Sequence, residues 1–181
     1  MALKILVGLV IAQCLHAAAP ALVTRVPSKN YRTEGLFEGG RAVPANIESI
    51  RVSGHPEFER WVVDFSDALG RTLGKVAPQF QVRYVRGEKL IGPLGENVFA
   101  RPAKFILTFR QVKQNYLDVA QLKRLVKKSR YVQDITIYPP IEDGDTAIEL
   151  TLKDNVAFEA HQPVQKEGRL VLDLQAAPAT P

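Results

Sequence analysis

Two short runs decide the fold: Arg60-Trp61-Val62-Val63-Asp64-Phe65 and, far downstream, Arg169-Leu170-Val171-Leu172-Asp173-Leu174. Each opens on an arginine, carries an aspartate at the fourth position after it, and then a large apolar residue. Side chains alternate faces along a strand, so Trp61, Val63 and Leu172 share a buried side while the charged positions point away. The repetition of one pattern in both halves predicts two similar four-strand units.

The wider contexts echo each other as well. Ile50-Arg51-Val52 opens a strand pair in the first half, as Ile135-Thr136-Ile137 does in the second, and Phe80 and Phe158 begin the strands that follow. Lys104 to Phe109 then closes the first half as Arg169 to Leu174 closes the second. The remaining β-type runs are Ile47 to Val52, Phe80 to Val85, Val132 to Tyr138, Thr146 to Leu152 and Val156 to His161. Stacking the two units would bury both apolar faces. The expected fold is therefore mainly β: a β-sandwich of two related sheet units, with one amphipathic helix and a long Gly/Pro-rich insertion.

That helix is expected over Leu117 to Lys128, with Asn115 as N-cap and Asp118 in the first turn. Leu122, Leu125, Val126 and Ser129 fall on one side at helical spacing. Lys123, Arg124, Lys127 and Lys128 form a basic face, either a grip for an anionic polymer or a solvated, dipole-matched surface. The insertion, Gly87 to Pro102, carries glycines and prolines that should break regular structure; it reads equally as a functional loop or as a flap over an open core edge.

Ser49-Ile50-Arg51-Val52 and the two Arg…Asp runs resemble the strand motifs of the AMIN domain, over roughly residues 47–174. The resemblance implies a β-sandwich that binds peptidoglycan without catalysis. Such domains accompany bacterial cell-wall amidases and the secretins of pilus machinery, and localise them in the periplasm. It further implies ligand-binding roles for Arg51, Arg60 and Arg169. For each arginine the alternative is a cross-strand ion pair with Asp64, Asp173 or a neighbouring glutamate.

The first residues fit an export signal: Lys4, an apolar run from Ile5 to Ala12 and a cluster of small residues from Ala17 to Ala21. The run is shorter than the roughly 20 apolar residues that span a bilayer. Pro20 favours cleavage after Ala17 or Ala18. Ile11-Ala12-Gln13-Cys14 is similar to a lipoprotein box, but bulky Gln13 disfavours acylation at Cys14. The expected organisation is a signal at 1–19, a loose leader at 20–46, the domain at 47–175 and a Pro/Ala tail at 176–181. A periplasmic or secreted location follows.

Loss of the signal would remove the only cysteine and the only methionine. The domain would then rely on its core, with no disulfide, thiol nucleophile or thiolate metal site. The formal net charge of +5 drops by one with Lys4, a mild bias towards acidic partners without the footprint of a nucleic-acid binder. His55 and His161 stand apart in turn and strand-end positions, with no carboxylates to complete a metal site. Ser66 and Ser129 have no evident base, and Asp64 and Asp173 read as ordinary strand positions. No enzyme, cofactor, metal or transmembrane span is expected. The favoured reading is a non-catalytic periplasmic module that binds peptidoglycan, or another anionic envelope polymer, or docks on an envelope assembly. A lipid or lipoprotein carrier and a pilus or secretion-system accessory protein are the alternatives.

Overall fold

The computed structural model describes residues 31–71, 77–87, 89–91, 93–99, 102–140, 144–163 and 168–178. The expected signal, Cys14 and the last residues of the tail lie outside them. In chain order the elements are β1 (Gly35–Gly39), β2 (Ala45–Gly54), β3 (Glu59–Asp67), β4 (Phe80–Val85), β5 (Lys89–Ile91), β6 (Asn97–Phe99), β7 (Lys104–Phe109), β8 (Val112–Asn115), α1 (Val119–Lys128), β9 (Val132–Ile137), β10 (Thr146–Leu152), β11 (Val156–His161) and β12 (Arg169–Ala176).

Alternation along these strands produces two five-stranded sheets. The first runs β11-β12-β3-β2-β8 and the second β1-β4-β7-β10-β9. Their apolar faces meet in one core, making a β-sandwich. Phe65 of β3 packs edge-on against Phe109 of β7, with ring centroids 5.2 Å apart. Phe105 of β7 does the same against Phe158 of β11 at 4.9 Å. Trp61, Val63 and Leu172 are buried in this core, as their alternation predicts.

Neither half of the chain forms a sheet by itself. Each half contributes two strand pairs, β2-β3 with β4-β7 and β9-β10 with β11-β12, and each sheet takes one pair from each half. At the two seams β3 pairs with β12 and β7 with β10, both antiparallel. Turn length explains why this interlacing is hidden in the sequence. The three residues between β10 and β11 cross from one sheet to the other, whereas the longer β11–β12 connection returns within its own sheet.

The open sides of the sandwich are closed by segments with little alternation. The leader, expected to be loose, first exchanges two backbone hydrogen bonds between Arg32 and Phe158 of β11, at 2.8 and 2.7 Å. It then crosses to pair as β1 along β4. Gly40 ends that strand with φ +79°, where a Cβ would overlap the Pro78 carbonyl oxygen, so only glycine fits. On the opposite side β8 adds a short parallel strand to β2. Helix α1 follows, resting on β9 and β2 through Leu122 and Val126. Its N-cap is Asp118, not Asn115: the Asp118 carboxylate accepts from Ala120 N and Gln121 N, while Asn115 accepts only from Leu117 N. The cap sits later because an aspartate immediately before the first helical turn outcompetes the earlier Asx turn.

The Gly87–Pro102 segment retains regular structure despite its breakers, as the hairpin β5-β6. Val85, Ile106, Ala147 and Glu149 point outward from the second sheet yet are buried. Glu96 of the hairpin approaches Tyr138 over that same face. The turn of the hairpin thus reaches the sheet's outer surface at Tyr138. At that surface Glu149 accepts from Lys104 Nζ at 2.5 Å and Tyr138 Oη at 3.0 Å. Burial, with Glu149 and Glu96 alongside, pushes the Tyr138 hydroxyl far above its ordinary range.

Candidate functional site

The outward face of the first sheet gathers the charged positions of β2, β3 and β12. Strands β3 and β12 run antiparallel with Arg60 opposite Asp173 and Asp64 opposite Arg169. The two Arg…Asp runs are therefore direct partners in register, related by a local two-fold, not equivalent strands in separate units. Arginine and aspartate four residues apart share a face, so each run supplies the arginine of one cross-strand ion pair and the aspartate of the other. Val62 and Val171 sit opposite each other at the centre.

The pairing is tight and forked. Arg60 donates from Nε and Nη2 to the two oxygens of Asp173, at 2.7 and 2.6 Å, and its guanidinium lies 5.2 Å from the Phe58 ring centroid. Arg51 grips Asp64 in the same manner, at 2.6 and 2.9 Å. Arg169 Nε adds a third guanidinium contact to Asp64 at 2.7 Å. A bulge between Ile47 and Ser49 brings Ser49 opposite Asp64, where its hydroxyl donates at 3.0 Å. Arg51, Asp64 and Arg169 line one wall of a shallow concavity of about 330 Å³, completed by Glu48, Phe65, Ser66 and Gly70. The Ser66 hydroxyl donates to Glu48 across it.

The structure thus brings all three sequence-predicted arginines onto one face and supplies the aspartate partners that were the alternative for each. The surface is a chequer of guanidinium and carboxylate rather than a bare cationic strip. The basic helix residues Lys123, Arg124, Lys127 and Lys128 are exposed on a separate element. Lys127 and Lys128 occupy the last turn of α1, where they complement the carbonyl end of the dipole. A wider open groove of about 770 Å³ follows β1 and β4, lined by residues such as Gln81, Arg83 and Arg86; none of the sequence-predicted site residues enters it. No family model matches the chain, and no curated protein matches its sequence.

Burial opposes ionisation of Asp64, but hydrogen bonds from Arg51 and Ser49 and the charges of Arg51 and Arg169 outweigh it. Its carboxyl is held below the ordinary carboxylate range. A folded-state value below the unfolded one stabilises the protein above the unfolded value, near 3.9, and that stabilisation is lost as pH falls through the folded value. Asp64→Asn is therefore expected to lower stability at neutral pH and to flatten its decline below about pH 4. Urea melts across pH 2.5–7 check both; parallel curves for variant and parent would contradict the assignment.

Two groups that sequence reading left apart also meet on this face. Glu159 of β11 stands directly opposite Asp173, and His161 follows two residues later. One potential ligand atom from each lies within 4.8 Å of the other two. The only signal in the sequence is the Glu-x-His spacing on one strand; the third member arrives by strand pairing. His55, by contrast, is stacked on Phe58 at 4.3 Å within the β2–β3 turn.

Proposed function

We propose that this chain is a non-catalytic module of the bacterial cell envelope that binds peptidoglycan through the outward face of its first sheet. The observation that carries this reading is the set Arg51, Arg60 and Arg169 on one sheet face, each paired with an aspartate. A guanidinium has five N–H donors and a fork onto one carboxylate uses two, so the locked groups keep donors for a ligand. Held rigid, they cost little further side-chain entropy on binding. The alternation of donors and acceptors suits a polymer of hydroxyls, amides and carboxylates lying flat across the strands.

The resemblance of these same motifs to the AMIN domain points the same way. A lipid carrier would need room between the sheets, and there the rings of Phe65, Phe105, Phe109 and Phe158 are in contact. Among the described residues no helix is long and apolar enough to cross a membrane.

Co-sedimentation with purified peptidoglycan sacculi, at low and physiological ionic strength, tests the proposal. The parent chain is expected to pellet at both. Arg60→Lys and Arg169→Lys should reduce retention about tenfold, because an ammonium keeps the charge but cannot fork onto aspartate and ligand together. Lys127→Ala and Lys128→Ala should act only at low salt, as screened charges do. A parent chain that stays in the supernatant at both strengths would refute wall binding.

A further inference from the structure

The concavity at the Asp64 end of the first sheet holds opposite charges that do not meet. Strand β2 bulges at Glu48, the extra residue between the register pairs Ile47–Phe65 and Ser49–Asp64. A bulge re-aims the side chains around it. Ile47 and Ile50 stay in the core, while Glu48 and Ser49, consecutive in the chain, both reach the outward face. Glu48 is held there. It accepts from the Ser66 hydroxyl, whose oxygen accepts from Nδ2 of Asn46 at 3.2 Å. Asn46 is itself buried and anchored on the Asp67 carbonyl at 2.8 Å. Arg51 and Arg169 line the same concavity, yet both pair with Asp64 and neither with Glu48. Among the described residues Arg169 commits only its Nε–H, and Glu48 has no cationic partner. Two guanidiniums thus share one carboxylate, and a second carboxylate stands fixed in the same concavity without a cation.

We propose that this concavity is a subsite for a zwitterionic amino-acid head, an ammonium and a carboxylate on one carbon. The inference rests on the peptidoglycan reading and names the part of the polymer that enters: the free diamino-acid end of a peptide branch, not the sugar strand. The ligand carboxylate meets the guanidiniums of Arg169 and Arg51, whose planar N–H donors match it. The ligand ammonium meets Glu48. A plain anion would satisfy the arginines but set like charge beside Glu48, and a plain cation would do the reverse; a ligand carrying both signs avoids each repulsion. The sugar hydroxyls and N-acyl groups of a glycan strand offer neither charge. The concavity, about 330 Å³, has room for such a head with part of its methylene stem. Because Ser66 and Asn46 already fix Glu48, little side-chain freedom remains to be lost on binding.

Titration of synthetic stem peptides into the full chain, followed by NMR, tests the subsite without sacculi. The probes are a tripeptide ending in a diamino diacid whose side-chain amine and carboxylate are free, the same peptide acetylated on that amine, and the same peptide amidated on that carboxylate. Acetylation and amidation are each expected to weaken binding about tenfold, because each removes a charge-assisted hydrogen bond. Glu48→Gln should bind the free peptide about tenfold more weakly than the parent does, with no further loss on acetylation and the full loss on amidation. Thermal melts establish that the variant folds. Discrimination among the peptides by a chain that does not pellet with sacculi would uphold the subsite and refute only wall binding. Equal binding of the three peptides, binding of none, or undiminished discrimination against the acetylated peptide in Glu48→Gln would overturn the subsite, even where sacculi retain the chain.

Discussion

Trp61→Ala is expected to destabilise the protein by about 3–5 kcal/mol, as truncation of a large buried aromatic does. The corresponding fall in melting temperature is roughly 10 °C or more for a chain of this size. Trp61 is 2% exposed and lies between Val52 on β2 and Leu172 on β12, at a seam where strands from the two halves meet. Alanine would leave a cavity that close-packed neighbours refill only in part. The indole also donates from Nε1 to Glu59 Oε1 at 2.8 Å, so truncation removes a hydrogen bond as well as volume. Trp61→Phe separates these contributions, keeping most of the packing and losing the donor at a cost of about 1–2 kcal/mol. Urea denaturation gives both values; an unchanged midpoint for Trp61→Ala would mean that the faces of β3 are reversed.

Glu59→Ala is expected to cost a comparable 3–5 kcal/mol, as removing one partner from a buried charged network does. Glu59 is a carboxylate at 2% exposure, tied by hydrogen bonds rather than by a described salt bridge. Its Oε1 accepts from Trp61 Nε1 and from the Ser129 hydroxyl at 2.5 Å, and its Oε2 accepts from Arg130 N at 2.7 Å. Ser129 is the C-cap of α1 and in turn accepts from Val132 N at 2.8 Å. The single carboxylate therefore ties β3 to the end of the helix and the start of β9. Alanine would strand three donors away from water, each worth about 1–3 kcal/mol when unpaired. Denaturation of Glu59→Ala to within 1 kcal/mol of the parent would show that water enters and replaces the carboxylate.

Much of this was legible from side-chain alternation. Phe80 to Val85, Thr146 to Leu152 and Val156 to His161 form strands at the expected bounds, because one wet and one buried face leaves a period of two in the residues. Helix α1 was legible for the parallel reason, from Leu122 and Val126 on one side. Alternation is silent, however, about which strand lies beside which. The two Arg…Asp runs read as equivalents in two units, and pairing them directly depends on long-range register. Strands β1 and β8 escaped notice because short edge strands have no wet-and-dry rhythm to display. Glu59 was missed although period two places it on Trp61's face; a carboxylate beside Arg60 reads as a surface charge until its three donors are seen. The metal candidates failed to emerge for the same reason as the register: Asp173 reaches His161 only through the β11–β12 pairing.

On the proposed reading the aspartate-paired arginines of the first sheet, rather than the helix lysines, meet the wall polymer. Arginine side-chain Nε–Hε resonances report on it directly, recorded while soluble peptidoglycan fragments are titrated into isotopically labelled protein. Nε–Hε groups held on aspartate exchange slowly enough to be seen, and a ligand that shares the guanidinium donors must move them. Saturable shifts are expected at Arg51, Arg60 and Arg169, with backbone amides of α1 unmoved at physiological salt. Shifts confined to α1, or none at the three arginines at saturating fragment, would contradict that reading.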